Sequence, residues 1–528
     1  MSGFGTRVKM AVALAAASVL LVGVSACSSA SDNTSHSNGS AERAAELKLQ
    51  FVGSPISLNP ALAGNGGSTV FASLAYDPLI FMASDGSLVP DLATSWKYTD
   101  TENKVFEVKL RSGVTFADGK PMDAAAVKAS MEYFLKAGGG LATQVGKIGS
   151  IEAVDSSTVR INYSTSYPNA ATSLSQYMMF GNIIGPDALA NPKSLLTSMD
   201  GTGQYLYNAS KSVPDSKYVY ERNPKYWAPD AQLYNTVSVS IIGDPNAVLS
   251  AVSTGQVDVV GGSATTVDSA KSAGLKIVTA PFFNWALYLA DMDGTITPAL
   301  KNPKVRQAIG MAIDREAIAK GIGGGYGQAN GQVMNKGTDG YLDGAGFTYD
   351  LSKAKSLLAE AGYPDGFSMT ILAESSLDGK ALRAQAIASS IEKLGITVTL
   401  KTIATGVPQF ITEALSKKYA ALVFPVTGTN MGDAYASLQS GMRNPLGYLD
   451  PKLEDLNTQS LVANSADRTK IYQKMTTQLT DDAMVIPVYS DDNMTYVGPK
   501  VTNVKATALN PNPMPTGPDA KYAWQPVK

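Results

Sequence analysis

The chain has 528 residues, with 43 Lys and Arg against 45 Asp and Glu, and 44% of its residues are hydrophobic. That is enough for two or three hydrophobic cores, and no long basic run favours nucleic acid or an anionic lipid surface. The only cysteine is Cys27 and the only histidine is His36, so everything from about Glu46 onward lacks thiol and imidazole. Internal disulfides, Ser-His-Asp and Cys-His catalysis, Cys-rich zinc sites and His-ligated zinc, copper or nickel sites are thereby excluded there. No resident cofactor or metal is expected.

The first residues carry Arg7 and Lys9 and no acid, followed by an apolar run from Met10 to about Val24. This is the pattern of a secretory signal, too short and Ala-rich for a permanent span. Val24, Ser25, Ala26 and Cys27 resemble a bacterial lipobox. The resemblance implies cleavage of residues 1–26 and acylation of Cys27, and two or three acyl chains hold a protein stably on a membrane. Residues 27–45 are rich in Ser, Asn and Gly around His36 and read as a flexible spacer. No later apolar run approaches 18 residues.

After the spacer, Leu47–Val52 begins with strand-like alternation, and a loop rich in Pro and Ser runs to Pro60. Val105–Arg111 alternates as a strand. Ala124–Lys136 reads as a helix with Asp123 as N-cap and Val127, Met131, Phe134 and Leu135 along one face. Asn302 caps a helix with Pro303 at its first position, and Val305, Ala308, Ile309, Ala312 and Ile313 form its apolar face. Ile318 breaks that phase, so Asp314 is expected to cap a second short helix ending by Gly321. Leu351, Ala354, Leu357, Leu358 and Ala361 make another stripe, ended by Gly362 and Pro364. A helix over Leu377–Leu394 passes into a strand over Ile396–Ile403. Tyr419–Phe424 is a buried-strand candidate leading into an expected loop, Pro425–Tyr435, and Val485–Tyr489 is a further strand. Strands alternating with helices indicate α/β domains.

Four blocks carry a resemblance. Tyr76–Ser130 opens YDPLIF and contains DGSLVPDLATSW and FADGKPMDAAAV. GTGQY at Gly201–Tyr205, ERNPKYW at Glu221–Trp227 and TGQVD at Thr254–Asp258 form the second. The third is NPKVRQAIGMAIDREAI at Asn302–Ile318, and the fourth is YDLSKAKSLLAEAGYPDGF at Tyr349–Phe367. In that order they resemble the family 5 extracellular solute-binding proteins, the oligopeptide-, dipeptide- and nickel-binding receptors of ABC importers. The resemblance implies an α/β fold of the type II periplasmic-binding-protein kind, two lobes with a cleft plus an extra domain. Domain I is then residues 46–76, 195–285 and 485–528, domain II residues 77–194, and domain III residues 286–484.

It also implies function: a monomeric receptor, lipid-anchored on the outer face of the cytoplasmic membrane. It would deliver a small solute, a peptide by family weight, to an ABC permease and its ATPase subunits. The ligand would sit between lobes, with lining expected from Ser54 to Asn59, from Phe282 through Phe283 and Asn284 to Trp285, and from Phe424 to Tyr435. The resemblance makes Asp433 the partner of a peptide's amino group. A metal chelate, an opine or an oligosaccharide are the other solutes considered. Ser352 and Lys355 match the Ser-x-x-Lys of penicillin-binding enzymes, but no Lys-Thr-Gly follows, and in the first turn of an amphipathic helix the match reads as chance. The pairs Asp481-Asp482 and Asp491-Asp492 are expected on opposite strand faces or solvated in loops.

Overall fold

Two long antiparallel strands, Lys276–Leu289 and Val485–Val497, lie side by side through the centre of the structure, paired from Lys276 with Val497 to Tyr288 with Val485. The structure is a computed structural model and describes residues 43–64, 68–375, 381–426, 428–439 and 441–527. Both strands belong to one mixed sheet. Beyond Val485–Val497 it continues through Val259–Gly261, Ala44–Phe51, Tyr234–Ile241, Lys217–Arg222 and Tyr205–Tyr207. Beyond Lys276–Leu289 it continues through Ala421–Val426, Ser368–Glu374 and Thr397–Ile403. The register slips between Pro281 and Phe283 and again between Trp285 and Ala286. Such bulges twist and bend a strand locally, and here they fall midway along the crossing pair.

Among the described residues, buried side chains fall into three clusters. One draws on Trp285–Tyr489, another on Leu47–Val239 together with Val497, Val501 and Trp524, and a small third joins Val248–Leu275 to Met494 and Tyr496. The second cluster also fills the space under a separate four-stranded antiparallel sheet, ordered Ala93–Tyr98, Val105–Leu110, Thr158–Tyr163 and Ile148–Asp155. The helix Ala124–Ala137 packs on that sheet through Val127, Met131 and Phe134.

Local chemistry explains most helix starts. Asp123 accepts from the amide of Ala126, Asn302 from that of Lys304 and Asp314 from that of Ala317, each such cap contributing about 1 kcal/mol. The helices after them end at Ala312 and Ile322, and the Leu351 helix ends at Glu360 under its own cap, Asp350. Three expectations change. The first strand starts at Ala44, with Arg43 donating to the carbonyls of Pro229 and Gln232, so the end of the expected spacer is already folded. Of the helix expected over Leu377–Leu394, residues 376–380 lie outside the described residues, and the helix is described from Leu382, after Ala381 in the left-handed region with φ 51°, to Glu392. The segment after Phe424 is not a loop throughout. Pro425 and Val426 finish the strand, and Met431–Leu438 is a helix capped by Asn430.

The buried charged groups among the described residues include two arginines and a pair of aspartates. Arg306 donates to the carbonyls of Leu300, Lys301 and Asp482 and to the Asp482 carboxylate at 3.0 Å. Arg315 donates to the carbonyls of Pro487, Gly310 and Ile313, and burial lowers it to about 9. Asp77 and Asp91 are both buried. Trp227 Nε1 donates to Asp77 at 3.1 Å, and the Arg111 guanidinium lies 4.0 Å over the Trp227 ring while its Nε donates to the Asp91 carbonyl. Burial raises both carboxyls, and Asp77 raises Asp91 further. Cys27 and residues 1–42 lie outside the described residues. No helix among the described residues is long and apolar enough to cross a membrane.

Candidate functional site

Between the lobe carrying the four-stranded sheet and residues 428–443 lies a cavity of about 750 Å³, within the usual range for small-molecule sites. One wall offers Tyr167, Asn169 and Thr172, and the other Asp433, Ser437 and Arg443. A second chamber of about 390 Å³ shares Asn169 and Thr172 and is lined also by Asp339, Asn430, Arg468 and Tyr472. Among the described residues, hydrogen bonds span the cleft from Asn169 Nδ2 to Asp433 Oδ1 at 2.8 Å and from Asn103 Nδ2 to the Leu461 carbonyl at 2.8 Å.

Asp433 stands in the first turn of the Met431–Leu438 helix. The cap Asn430 accepts from the Asp433 amide at 2.9 Å and returns its own Nδ2 to Asp433 Oδ2 at 2.6 Å. This is a reciprocal capping arrangement, and the positive end of the helix faces the carboxylate. Each carboxylate oxygen thus holds one amide proton, from Asn430 and from Asn169. The surrounding protein raises the carboxyl above its ordinary range, and the two amides pull it back. The side chain remains open to the cavity. Arg443 reaches the same cavity. Its Nη2 donates to the Pro425 carbonyl at 3.2 Å and its guanidinium lies 5.2 Å over Phe424, which stacks on Phe410 at 5.0 Å. Cavity lining therefore combines one carboxylate with one guanidinium, the complement of a zwitterion.

The other residues singled out from sequence lie apart from these two chambers. Phe424 supports Arg443 from beneath. Tyr435 turns into the core, and its hydroxyl donates to Glu454 at 2.5 Å. Trp285 and Phe283 share one face of the crossing pair. There Trp285 Nε1 donates to Asp491 at 2.8 Å, Arg383 donates to the same oxygen at 2.6 Å, and the Arg383 guanidinium lies 4.3 Å over the indole. Phe283 packs on Phe282 at 4.3 Å. Asn284, on the opposite face, is buried and donates to the carbonyls of Gln332 and Val333. Ser54 donates to Asp215 on the outer surface. Asn59 is buried, donating to the Tyr133 hydroxyl and capping the amide of Ala61.

Of the two acidic pairs, Asp491-Asp492 lies on a strand, one of the two placements expected, and Asp481 is exposed while Asp482 departs from a solvated reading. Asp482 serves buried Arg306, and Asp491 and Asp492 sit on a strand at the bulge, where burial raises Asp492 to about 6. Ser352 and Lys355 are exposed on their helix. Asn169, Arg443 and Asp339 were not flagged by sequence. Asn430 carried a signal in its spacing to Asp433, an Asn followed three residues later by an acid.

Residues 87–445 match the family model described as bacterial extracellular solute-binding proteins, family 5 Middle. The chain belongs to family 5 of the bacterial extracellular solute-binding proteins. This family 5 protein is 25% identical over 453 residues to the glutathione-binding protein GsiB of Escherichia coli K12, covering 82% of the chain and 86% of that protein. Among solved structures, HbpA2 from Haemophilus parasuis has a TM-score of 0.79 at 22% identity, covering 92% of this chain and 100% of that one. DppA from Helicobacter pylori, solved with the peptide STSA, has a TM-score of 0.71 at 22% identity, covering 92% and 99%. At such identities these structures share the fold, a type II periplasmic binding protein. As a family member the protein is an extracytoplasmic solute-binding component of an ABC importer that works with a membrane permease.

Proposed function

We propose that this receptor takes short peptides, is tethered through acylated Cys27 to the outer face of the cytoplasmic membrane, and works as a monomer that hands its ligand to the permease. The observation that carries the peptide reading is the pairing of Asp433 and Arg443 in one cavity between lobes. A peptide backbone ends in an ammonium and a carboxylate, and charge-assisted bonds to both are the strong kind. On binding, the ammonium replaces the Asn169 amide on Asp433, so the contact that now spans the cleft passes through the ligand and favours closure. Domains I to III, with the boundaries given from the sequence, are the bodies that move, and the bulges at Phe282 and Trp285 are where they pivot.

Native mass spectrometry of the intact protein, with release of anything carried, tests this. A mixture of short peptides supports the reading, and a single chelate, opine or sugar replaces the cargo. An empty protein leads to calorimetry against tripeptides. Asp433→Asn is expected to weaken peptide binding at least about 30-fold, since truncating one partner of a desolvated charge pair costs about 2–5 kcal/mol. N-acetylated peptides should bind as weakly to the wild type. Equal affinity of Asp433→Asn and wild type would remove Asp433 from the site.

A further inference from the structure

We propose that the smaller chamber is a specificity pocket for a basic side chain of the ligand, with Asp339 as its counter-charge; this rests on the peptide reading above. Asp339 lines the chamber of about 390 Å³ and is half-buried. Its backbone is fixed twice: its amide donates to the Thr429 carbonyl at 3.1 Å, and its carbonyl accepts from the Met431 amide at 2.9 Å. Gly337 and Gly340, both in the left-handed region at φ 91° and 103°, turn the chain into and out of this position. The segment holding Asp339 is therefore the one that starts the Asp433 helix, and the two carboxylates are carried on one frame.

Their surroundings differ. Asp433 has an amide on each oxygen, whereas the Asp339 carboxylate has no hydrogen bond or ion pair among the described residues. Arg468 shares the chamber, yet no ion pair joins it to Asp339, and its Nε and Nη2 are occupied by the carbonyls of Ser460 and Ala463. Burial lifts the Tyr472 hydroxyl, on the same wall, to about 12, with the Arg468 charge pulling it back and the Asp433 and Asp339 carboxylates raising it. A carboxylate partly removed from water without a partner is costly, and a cation bonded to it recovers that cost. Met82, Leu88 and Leu509 supply apolar wall to the same chamber. An aliphatic stem ending in a cation matches that combination, because lysine and arginine side chains lay their methylenes on apolar surface and place the charge beyond it. A bare ammonium or a metal ion would leave the apolar wall unused.

Calorimetry on the intact protein with trialanine and its three single-lysine relatives tests the assignment. At least one lysine peptide is expected to bind the wild type 10-fold or more tighter than trialanine. Asp339→Asn, the same shape without charge, should bring that ratio close to one, and Asp433→Asn should instead weaken all four peptides alike. Absence of a lysine preference in the wild type, or a preference that survives Asp339→Asn, overturns the pocket alone. Failure of all four peptides to bind overturns the peptide reading and the pocket with it.

Discussion

Arg306 and Asp482 form a buried ion pair at 3.0 Å, with 5% and 11% of their side chains exposed, but the arginine and the carboxylate are not of equal weight. Three of the four hydrogen bonds from the guanidinium go to main-chain carbonyls, those of Leu300, Lys301 and Asp482. The first two close the short helix Pro298–Lys301, and the third ends the long helix Ser465–Asp482. Burial lowers Arg306 and raises Asp482, so desolvation outweighs mutual attraction in both partners. Arg306→Met therefore takes the guanidinium from one buried and two part-buried carbonyls and from a carboxylate. Each unsatisfied group costs about 1–3 kcal/mol, and with partial recovery by methionine packing and water entry the loss should be about 3–5 kcal/mol. Asp482→Asn keeps an acceptor for Nη2 and removes a desolvated charge, so its cost should stay within about 1 kcal/mol. Urea unfolding followed by circular dichroism, with Arg306→Met and Asp482→Asn measured beside wild type, separates the two. Equal destabilisation by both variants would refute the reasoning, because the charge pair and not the carbonyl caps would then carry the stability.

Asp77 and Asp91 give a pH signature. Burial raises Asp77 to about 7, so the folded state keeps a proton that the unfolded chain loses near the ordinary carboxylate value of about 4. Stability from this group is full below that value and is lost as pH rises through about 7, with a slope of up to about 1.4 kcal/mol per unit. Melting temperatures measured from pH 4 to 8 should fall with rising pH in this window, less steeply in Asp77→Asn; identical profiles would show that Asp77 does not hold the proton. Cys27→Ser should release the protein from membranes to the medium, which fractionation and blotting would detect, and unchanged retention would rule out the lipid anchor.

The scaffold was readable because its signals are local. Asp123, Asn302 and Asp314 cap where a short polar side chain precedes an apolar period of 3.6, and the Val105 strand alternates as a half-buried strand must. The cleft was readable only in part. Asp433 came from a family likeness, and its helix was missed because a short amphipathic turn after Pro425 looks like a loop until Asn430 is recognised as a cap. Asn169 meets Asp433 across 264 positions of chain, and no periodicity encodes a contact of that kind. Tyr435 and Asn59 have the residue types of a binding site, but each satisfies a partner within the protein. Sequence shows which groups can bond and leaves open whether the fold has already matched them.

The strand Val485–Val497 is inserted between Val259–Gly261 and Lys276–Leu289, although it follows both by about 200 residues of chain. A chain emerging from the ribosome must present both neighbours with an open edge until Val485–Val497 has been made. Pairing of such distant segments is slow, and unpaired edges invite association with other chains. The same delay keeps the nascent protein from locking into its final form before the segment at Val485 is complete.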